Sequence, residues 1–239
     1  MKLLQGDCMK LMKDIPDGSI DLILCDPPYG VTSAEWDSIL PFDELWVEYN
    51  RVLKPNGAVV LFAAQPFTTQ LINSNPNAYR YCWYWLKNMP TGFAFARYQP
   101  LRRIEDICVF YRKKPTYNPQ GLVVIPEEKR KVARRRKPRY GGLFNTLTKT
   151  YTTKYTNYPK NVLQFDCERG LHPTQKPVAL LEYLIRTYTN EGDTILDNCM
   201  GSGSTGVAAV KVGGRHFIGI EQNENYYTIA QGRIKEVMS

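Results

Sequence analysis

Short apolar runs that alternate with helix-like segments constrain the fold of this 239-residue chain more than any other feature. Residues 19–26, 58–64 and 216–221 are examples of runs with the length and branched apolar composition of buried strands. Segments with helical periodicity lie between them. This alternation predicts an α/β fold with a mainly parallel sheet, because parallel strands need a crossover that is usually a helix.

Composition and the N-terminus predict a soluble protein. Hydrophobic content of 43% and charged content of 23% are typical of a globular domain. No run approaches 18 consecutive apolar residues, and the first ten residues lack the apolar segment of a signal peptide. We therefore expect a cytoplasmic protein that does not contact a membrane.

The pattern of cysteines also favours a cytoplasmic protein. The six cysteines are scattered, none forms a C-x-x-C pair, and the chain has only two histidines. This pattern predicts reduced, mostly buried thiols and no metal site.

The alternation breaks in the middle of the chain. Residues 113–165 lack clean periodicity and are rich in Lys, Arg, Tyr, Thr, Asn and Pro. We interpret them as an insertion between two halves of one domain, residues 1–112 and residues 166–239.

The insertion also contains a cluster of cations that equals the chain's whole net positive charge of +8. Eight cations and no acidic residue lie between residues 129 and 139. Without them the 31 basic residues would fall to 23, which equals the number of acidic residues. A localised cluster of this kind indicates phosphate binding, with a solvated loop or a localisation signal as the alternative. The candidate DNA-binding residues are Lys129, Arg130, Lys131, Arg134, Arg135, Arg136, Lys137 and Arg139.

A glycine-rich turn follows the predicted strand that ends at Asp197. Gly201, Ser202 and Gly203 precede a predicted helix, so the backbone can approach a ligand closely near free N–H groups. The next strand ends in Glu221, and an acid at that distance can accept both hydroxyls of a ribose. The turn matches neither a P-loop nor a dinucleotide fingerprint, and alone it could be a structural turn. Together with Glu221 it predicts a nucleoside-type cofactor.

Asp26, Pro27, Pro28 and Tyr29 end another predicted strand. Consecutive prolines fix two φ angles and remove two N–H donors, so the Pro27 carbonyl is held rigidly near the Asp26 carboxylate. Two acceptors beside an aromatic ring would suit the exocyclic amino group of a nucleobase. Gripping its hydrogens could free the nitrogen lone pair for attack. A Pro-Pro turn without a catalytic role is the alternative.

With these motifs the sequence resembles the amino-group DNA methyltransferases that use S-adenosyl-L-methionine, in the β-type motif order. Residues 26–29 match their catalytic motif, residues 197–204 their methionine-binding loop, and Glu221 their ribose-binding acid. Residues 172–177 resemble the segment that contacts the cofactor's methionine end, and residues 6–8 the strand end that meets its adenine. The resemblance thus implies a set of cofactor-binding residues: Asp7, Cys8, Thr174, Lys176, Asp197, Cys199, Gly201, Ser202, Gly203, Ser204, Glu221 and Gln222.

The resemblance further implies a Rossmann-like methyltransferase fold with one antiparallel strand and a circularly permuted motif order. The catalytic half comes first, residues 113–165 form the target-recognition segment, and the cofactor half comes last. Double-stranded DNA is the expected substrate, and the target base must be extruded to reach the pocket. The common form of the family loop is Asp-Pro-Phe-x-Gly-Ser-Gly-Thr, from which Asn198, Cys199 and Ser204 depart. Cys199 takes the place of the phenylalanine, which makes an apolar contact to the cofactor, and can pack there as a small apolar side chain.

Several alternatives remain open at this stage. An aspartate at position 26 favours adenine N6 in the resembling family, with cytosine N4 as the chief rival. RNA or protein substrates, and a DNA-binding module without catalysis, are the other possibilities. Trp83, Trp85 and Lys87 share a strand face and form either a pocket wall or part of the core. The sequence leaves open whether the protein is a monomer or homodimer and whether a cognate restriction endonuclease accompanies it.

Overall fold

A computed structural model of the chain describes residues 1–30, 38–134, 150–168 and 175–239. It divides into two compact units, one formed by residues 1–118 with 161–239 and the other by residues 119–160. The described strands are, in chain order, β1 (Lys2–Gln5), β2 (Ile20–Cys25), β3 (Leu53–Ala63), β4 (Tyr79–Thr91), β5 (Arg102–Phe110), β6 (Val123–Val124), β7 (Val132–Arg134), β8 (Thr150–Thr152), β9 (Tyr155–Thr156), β10 (Val162–Phe165), β11 (Thr194–Asp197) and β12 (His216–Glu221). The described helices are α1 (Cys8–Leu11), α2 (Phe42–Val52), α3 (Phe67–Ser74), α4 (Val178–Tyr188), α5 (Ser204–Val212) and α6 (Glu224–Met238).

The first unit is built on an eight-stranded sheet with the order β1-β12-β11-β2-β3-β5-β4-β10. β5 runs antiparallel to both of its neighbours, and the other neighbouring strands pair in parallel. The expectation of a mainly parallel sheet with one antiparallel strand is confirmed. The carboxyl ends of β1, β12, β11 and β2 therefore meet at one edge, where open α/β sheets bind ligands.

Side-chain alternation along β2 places one hydrophobic core on each face of this sheet. Leu22 and Leu24 join a core that includes residues of α4, α5 and α6. Ile23 and Cys25 point to the other face and join a core with residues of α1 and α2. Because both faces are covered, the central strands are apolar throughout, as is usual for parallel strands.

Helix starts follow the local signals in the sequence. The Asp7 side chain accepts a hydrogen bond from the Met9 N–H at 2.9 Å and caps α1. The Asn223 side chain caps α6 in the same manner. α2 and α4 each follow a proline, Pro41 and Pro177.

The junction of α2 and β3 departs from local residue preference. α2 ends at Val52, and β3 begins at Leu53 and includes residues 54–57, although proline, asparagine and glycine favour turns. Leu53 pairs with Ile20 across a register irregularity, so tertiary pairing overrides the turn residues there. β10 lies within the range 113–165 but pairs with β4 in the main sheet.

The described residues of the second unit, 119–134 and 150–160, include two short antiparallel strand pairs. β6 pairs with β9, and β7 pairs with β8. A 3-10 turn, Glu127–Lys129, lies between β6 and β7. Among the described residues of both units, no helix has the length and apolar composition needed to cross a lipid bilayer.

Candidate active site

A cavity of about 1520 Å³ opens at the carboxyl edge of the sheet in the first unit. It brings together side chains that the sequence places far apart, because β1, β2, β11 and β12 all end there. Most of the described residues that the sequence analysis selected line it: Asp7, Cys8, Asp26, Pro27, Pro28, Tyr29, Lys176, Asp197, Cys199, Gly201, Ser202, Ser204, Glu221 and Gln222.

Asp26 lies directly after β2, and both of its carboxylate oxygens are hydrogen-bonded. The Tyr29 hydroxyl donates to Oδ1 at 2.6 Å, and the Lys176 ammonium donates to Oδ2 at 2.5 Å. The Asp26 side chain is 25% exposed, whereas that of Lys176 is 8% exposed. The carboxylate is therefore oriented from two sides and still reaches the cavity.

Lys176 belongs to a network of four charged side chains that the sequence did not reveal. Its Nζ also contacts Glu105 Oε1 at 2.9 Å, and Lys87 Nζ contacts Glu105 Oε2 at 3.4 Å. Glu105 lies near the start of β5 and is paired in register with Trp85. Because β5 runs antiparallel, its first residues lie at the same edge as the carboxyl ends of the parallel strands. The network contains two anions and two cations, so its formal charge is zero.

Burial and mutual charge set the ionisation of this network. Burial raises the pKa of Asp26, and Lys176 opposes that rise while Glu105 adds to it. Burial disfavours the charged form of Lys176, but Asp26 and Glu105 outweigh it and raise the ammonium pKa above its usual range. Burial also opposes ionisation of Glu105, but Lys176 and Lys87 outweigh it and lower the Glu105 pKa. Lys176 is therefore a cation and Glu105 an anion at neutral pH.

Aromatic side chains flank the Asp26 carboxylate. The Tyr29 ring stacks on Phe67 with centroids 4.9 Å apart and an interplanar angle of 23°. Trp85 and Lys87 line the cavity, so two of the three residues on that strand face contribute to it. Trp83 and Trp85 both belong to the core and are 3% exposed, so Trp85 contributes to the core and to the cavity. The Trp83 Nε1 donates to the Tyr188 hydroxyl at 2.7 Å.

The glycine-rich turn after β11 has the backbone geometry that its sequence predicts. Gly201 and Gly203 have positive φ angles of 51° and 80°. A Cβ atom on Gly203 would lie 2.8 Å from the Ala230 Cβ, so α6 can approach only a glycine there. Gly203 thus allows α6 to pack closely against the turn, whereas Gly201 and Ser202 line the cavity.

Arg233 of α6 fixes the serines of this turn. Its NH1 donates to the Ser202 carbonyl at 2.7 Å, to the Ser202 hydroxyl at 3.0 Å and to the Ser204 hydroxyl at 3.1 Å. Sequence reasoning missed Arg233, because nothing in its helical context distinguishes it from a surface cation. Its contacts identify it as a structural support of the turn.

Glu221 and the turn fit a nucleoside-type cofactor. Glu221 Oε2 accepts from the Gly201 N–H at 2.9 Å, and Oε1 accepts from the Asn223 N–H at 2.7 Å. A carboxylate oxygen has a second acceptor site, so each can still accept a ribose hydroxyl. Burial raises the pKa of Glu221, and backbone N–H donors oppose that rise. Asp7, at the end of the neighbouring β1, lines the same part of the cavity.

Asp197 is almost fully buried at the end of β11, 3% exposed. Its Oδ1 accepts from the Cys199 N–H at 3.1 Å. Burial nevertheless raises the pKa of Asp197 to about 7, with opposing hydrogen bonds from Thr205 and Cys199. The next residue, Asn198, accepts from the buried Tyr49 hydroxyl at 2.6 Å, which ties the turn to α2.

The raised pKa of Asp197 predicts a specific pH dependence of stability. The folded protein binds a proton between about pH 4 and pH 7 that the unfolded chain releases near pH 3.9. The contribution of Asp197 to stability therefore falls as pH rises through this window. Asn at position 197 carries no charge, so the melting temperature of Asp197→Asn relative to wild type should increase between pH 5 and pH 8. A difference in melting temperature between Asp197→Asn and wild type that stays constant at pH 5, 6, 7 and 8 would contradict this prediction. Replacement of an exposed carboxylate, Asp14→Asn, serves as the control.

Some selected residues lie outside the part of the chain that the structure describes. Thr174 is one of them, and so are four of the eight cations: Arg135, Arg136, Lys137 and Arg139. Arg134 is described only as backbone, at the end of β7. Of the remaining three, Lys129 and Lys131 are exposed, and Arg130 donates to the Ile125 carbonyl at 3.1 Å.

Comparison with known proteins is consistent with this geometry. A model of the DNA methylase family, N6_N4_Mtase, matches residues 20–232. The type II methyltransferase M.HpaI of Haemophilus parainfluenzae is 29% identical over 248 residues, which cover 98% of this chain and 74% of that protein. The type II methyltransferase M2.DpnII of Streptococcus pneumoniae is 28% identical and covers 98% and 90% of the two chains.

Solved structures share the whole fold. The M1.HpyAVI–SAM complex superposes with a TM-score of 0.68 and 25% identity, covering 98% of both chains. The cytosine-N4-specific PvuII DNA methyltransferase superposes with a TM-score of 0.69 over 99% of this chain and 90% of its own. At 17% identity, the second likeness shows the fold alone.

Proposed function

This chain belongs to the N6/N4 DNA methylase family and uses S-adenosyl-L-methionine, and we propose that it methylates the N6 amino group of adenine in duplex DNA. The observation that carries the proposal is the Asp26 carboxylate, oriented by Tyr29 and Lys176 in the same cavity as Glu221. Asp26, which would bind the target amino group, and Glu221, which would bind the cofactor ribose, can therefore serve one reaction.

The glycine-rich side of the cavity would hold the cofactor. Glu221 would accept the ribose hydroxyls, Asp7 and Cys8 would hold the adenine, and the turn around Gly201 would hold the methionine part. When bound, the cofactor supplies an activated methyl group on a sulfonium. The nearly buried Asp197 would interact with the cofactor's ammonium group when it is ionised.

Asp26 and the Pro27 carbonyl would grip the two hydrogens of the target amino group. This interaction draws the nitrogen lone pair out of the ring and towards the methyl donor. Positioning supplies much of the rate, since aligned reacting atoms about 3–3.5 Å apart gain several orders of magnitude. Asp26 needs little basicity, because the methylated nitrogen is acidic and releases its extra proton readily.

The target base would leave the duplex to reach this site. Unstacking and unpairing cost a few kcal/mol. Stacking on the Tyr29 ring would return roughly 1–3 kcal/mol. Trp85 and Lys87 would form the opposite wall of the base pocket. Residues 113–165 would recognise the target sequence, and the basic residues between 129 and 139 would bind phosphates.

Adenine is favoured over cytosine by the aspartate at position 26, which accompanies adenine in most of the resembling enzymes. Cytosine N4 methylation is the second candidate, because the family that the chain matches includes both N6 and N4 methylases. Both amino groups present two hydrogens to the same grip. A cognate restriction endonuclease would be a functional partner for either specificity.

The proposal is tested with purified protein, S-adenosyl-L-methionine and genomic DNA from a host without DNA methylation. After digestion, nucleoside mass spectrometry is expected to detect N6-methyldeoxyadenosine. N4-methyldeoxycytidine would retain the mechanism and replace the target base. DNA without either product, with protein that still binds the cofactor, would contradict the proposal.

A further inference from the structure

The loop between β4 and β5 exposes aromatic and cationic side chains together. Phe93, Phe95 and Tyr98 are 66%, 55% and 86% exposed, and Arg97 lies between the last two. Residues 88–104 contain three arginines and no acidic residue. We call residues 92–101 the aromatic loop.

The aromatic loop has a defined backbone. Gly92 has a φ of 94° and begins a 3-10 turn, Phe93–Phe95. The N–H groups of Tyr98 and Gln99 both donate to the Phe95 carbonyl, at 2.9 and 3.0 Å. The turn thus satisfies its own backbone groups while its rings face solvent. Exposed aromatic side chains grouped in this manner mark a binding surface more often than isolated ones do.

The position of the aromatic loop relates it to the Asp26 cavity. β4 runs in the same direction as β2 and β3, so its carboxyl end lies at the edge of the sheet that holds the cavity. Met89, Pro90, Thr91 and Phe93 line that cavity, and Phe93 is also largely exposed. The aromatic loop therefore forms part of the cavity rim. At its base, Arg103 donates to the Lys87 carbonyl at 3.1 and 3.0 Å, which links the loop to the charged network.

We propose that the aromatic loop binds DNA next to the extruded base. Phe95 and Tyr98 stack on bases that lose a stacking neighbour when the target leaves the duplex, and Arg97 and Arg102 bind the flanking phosphates. This inference rests on the proposed function and adds a DNA contact outside residues 113–165. Alternating rings and cations suit a nucleic acid, because every base offers a π-face and every nucleotide a negative charge.

The first test compares Phe95→Ala/Tyr98→Ala with wild type on a duplex substrate. Stacking of this kind predicts a rise of roughly tenfold or more in KM for DNA, with cofactor affinity unchanged. The matched control is Val47→Ala on α2, which removes an equally exposed apolar side chain. If the target base is placed opposite an abasic position, extrusion needs less assistance, so much of the loss should be recovered.

The second test concerns the arginines. Arg97→Ala should weaken DNA binding and reduce the slope of log K against log salt by about one. Arg80 lies near the amino end of β4, whereas the aromatic loop follows its carboxyl end. Arg80→Ala should therefore leave DNA affinity and its salt dependence unchanged.

Defined outcomes would overturn the inference. If wild type methylates DNA and the loop variants match their controls in KM and salt slope, the aromatic loop does not bind DNA. A change of oligomeric state in the loop variants, with KM unchanged, would assign the surface to contact between copies of the chain. If wild type methylates no DNA, the proposed function fails and this inference fails with it.

Discussion

Replacement of Asp26 by alanine is expected to reduce methyl transfer to DNA by at least about a thousandfold, because the amino group loses its charged acceptor. Cofactor affinity should change by less than about threefold on this account, since Glu221 and the glycine-rich turn remain intact. The fold should persist, because Lys176 retains Glu105 at 2.9 Å as a partner. Transfer of a tritiated methyl group and calorimetric titration of the cofactor measure the two quantities separately.

Asp26→Asn separates the charge of this side chain from its shape. Asparagine retains one oxygen acceptor and almost the same volume, so residual turnover should exceed that of Asp26→Ala.

The pH dependence of wild-type activity reflects the ionisation of Asp26. Burial raises the pKa of Asp26. As the pH is lowered, activity should therefore begin to fall at a higher pH than it would with a carboxylate of ordinary pKa. Wild-type turnover in Asp26→Ala would eliminate the proposed mechanism.

Glu105→Gln is expected to lower kcat roughly 10- to 100-fold, with a smaller change in KM. Residues that orient the ligands of a metal ion, without binding it themselves, contribute about this much, and Glu105 orients Lys176 in a comparable manner. Glu105 acts as a positioning residue through Lys176. Without its charge, the ammonium is compensated only by Asp26 and competes more strongly with the target amino group for that carboxylate. The network also gains a net positive charge next to a nitrogen that becomes positive during transfer.

The pH profile distinguishes this electrostatic role from a structural one. Glu105 raises the pKa of Asp26, so its removal should lower that pKa. The acid limb of kcat should therefore move to lower pH in Glu105→Gln. The neighbouring Asp106, which accepts from the Thr68 hydroxyl at 2.6 Å, provides the matched control Asp106→Asn. An unchanged profile in Glu105→Gln, or an equal loss in Asp106→Asn, would contradict the positioning role.

The parts of the site that the sequence predicted share one physical origin. Asp26, Asp197 and Glu221 each end or directly follow an apolar run, and parallel strands bring such ends to a common edge. Period and composition therefore predicted both the sheet and the convergence of these carboxylates. The glycine turn was predictable because its positive φ angles need glycine.

Glu105 was not predictable in this manner. It lies near the start of β5, the antiparallel strand of the eight-stranded sheet, where a residue near the amino end reaches the catalytic edge. Local pattern does not give strand direction. Lys176 was selected, but its ion pairs with Asp26 and Glu105 depend on tertiary placement. The strand β10 was missed because its four residues lie in a segment without clear periodicity.

The most direct test of the role of Asp26 is nucleoside mass spectrometry on DNA from a methylation-free host that expresses wild-type protein or Asp26→Asn at equal levels. Abundant N6-methyldeoxyadenosine is expected with wild type, and a strong reduction is expected with Asp26→Asn. Equal amounts of the methylated nucleoside in the two samples would show that Asp26 does not perform the proposed role. Absence of a methylated base in both samples would contradict DNA as the substrate.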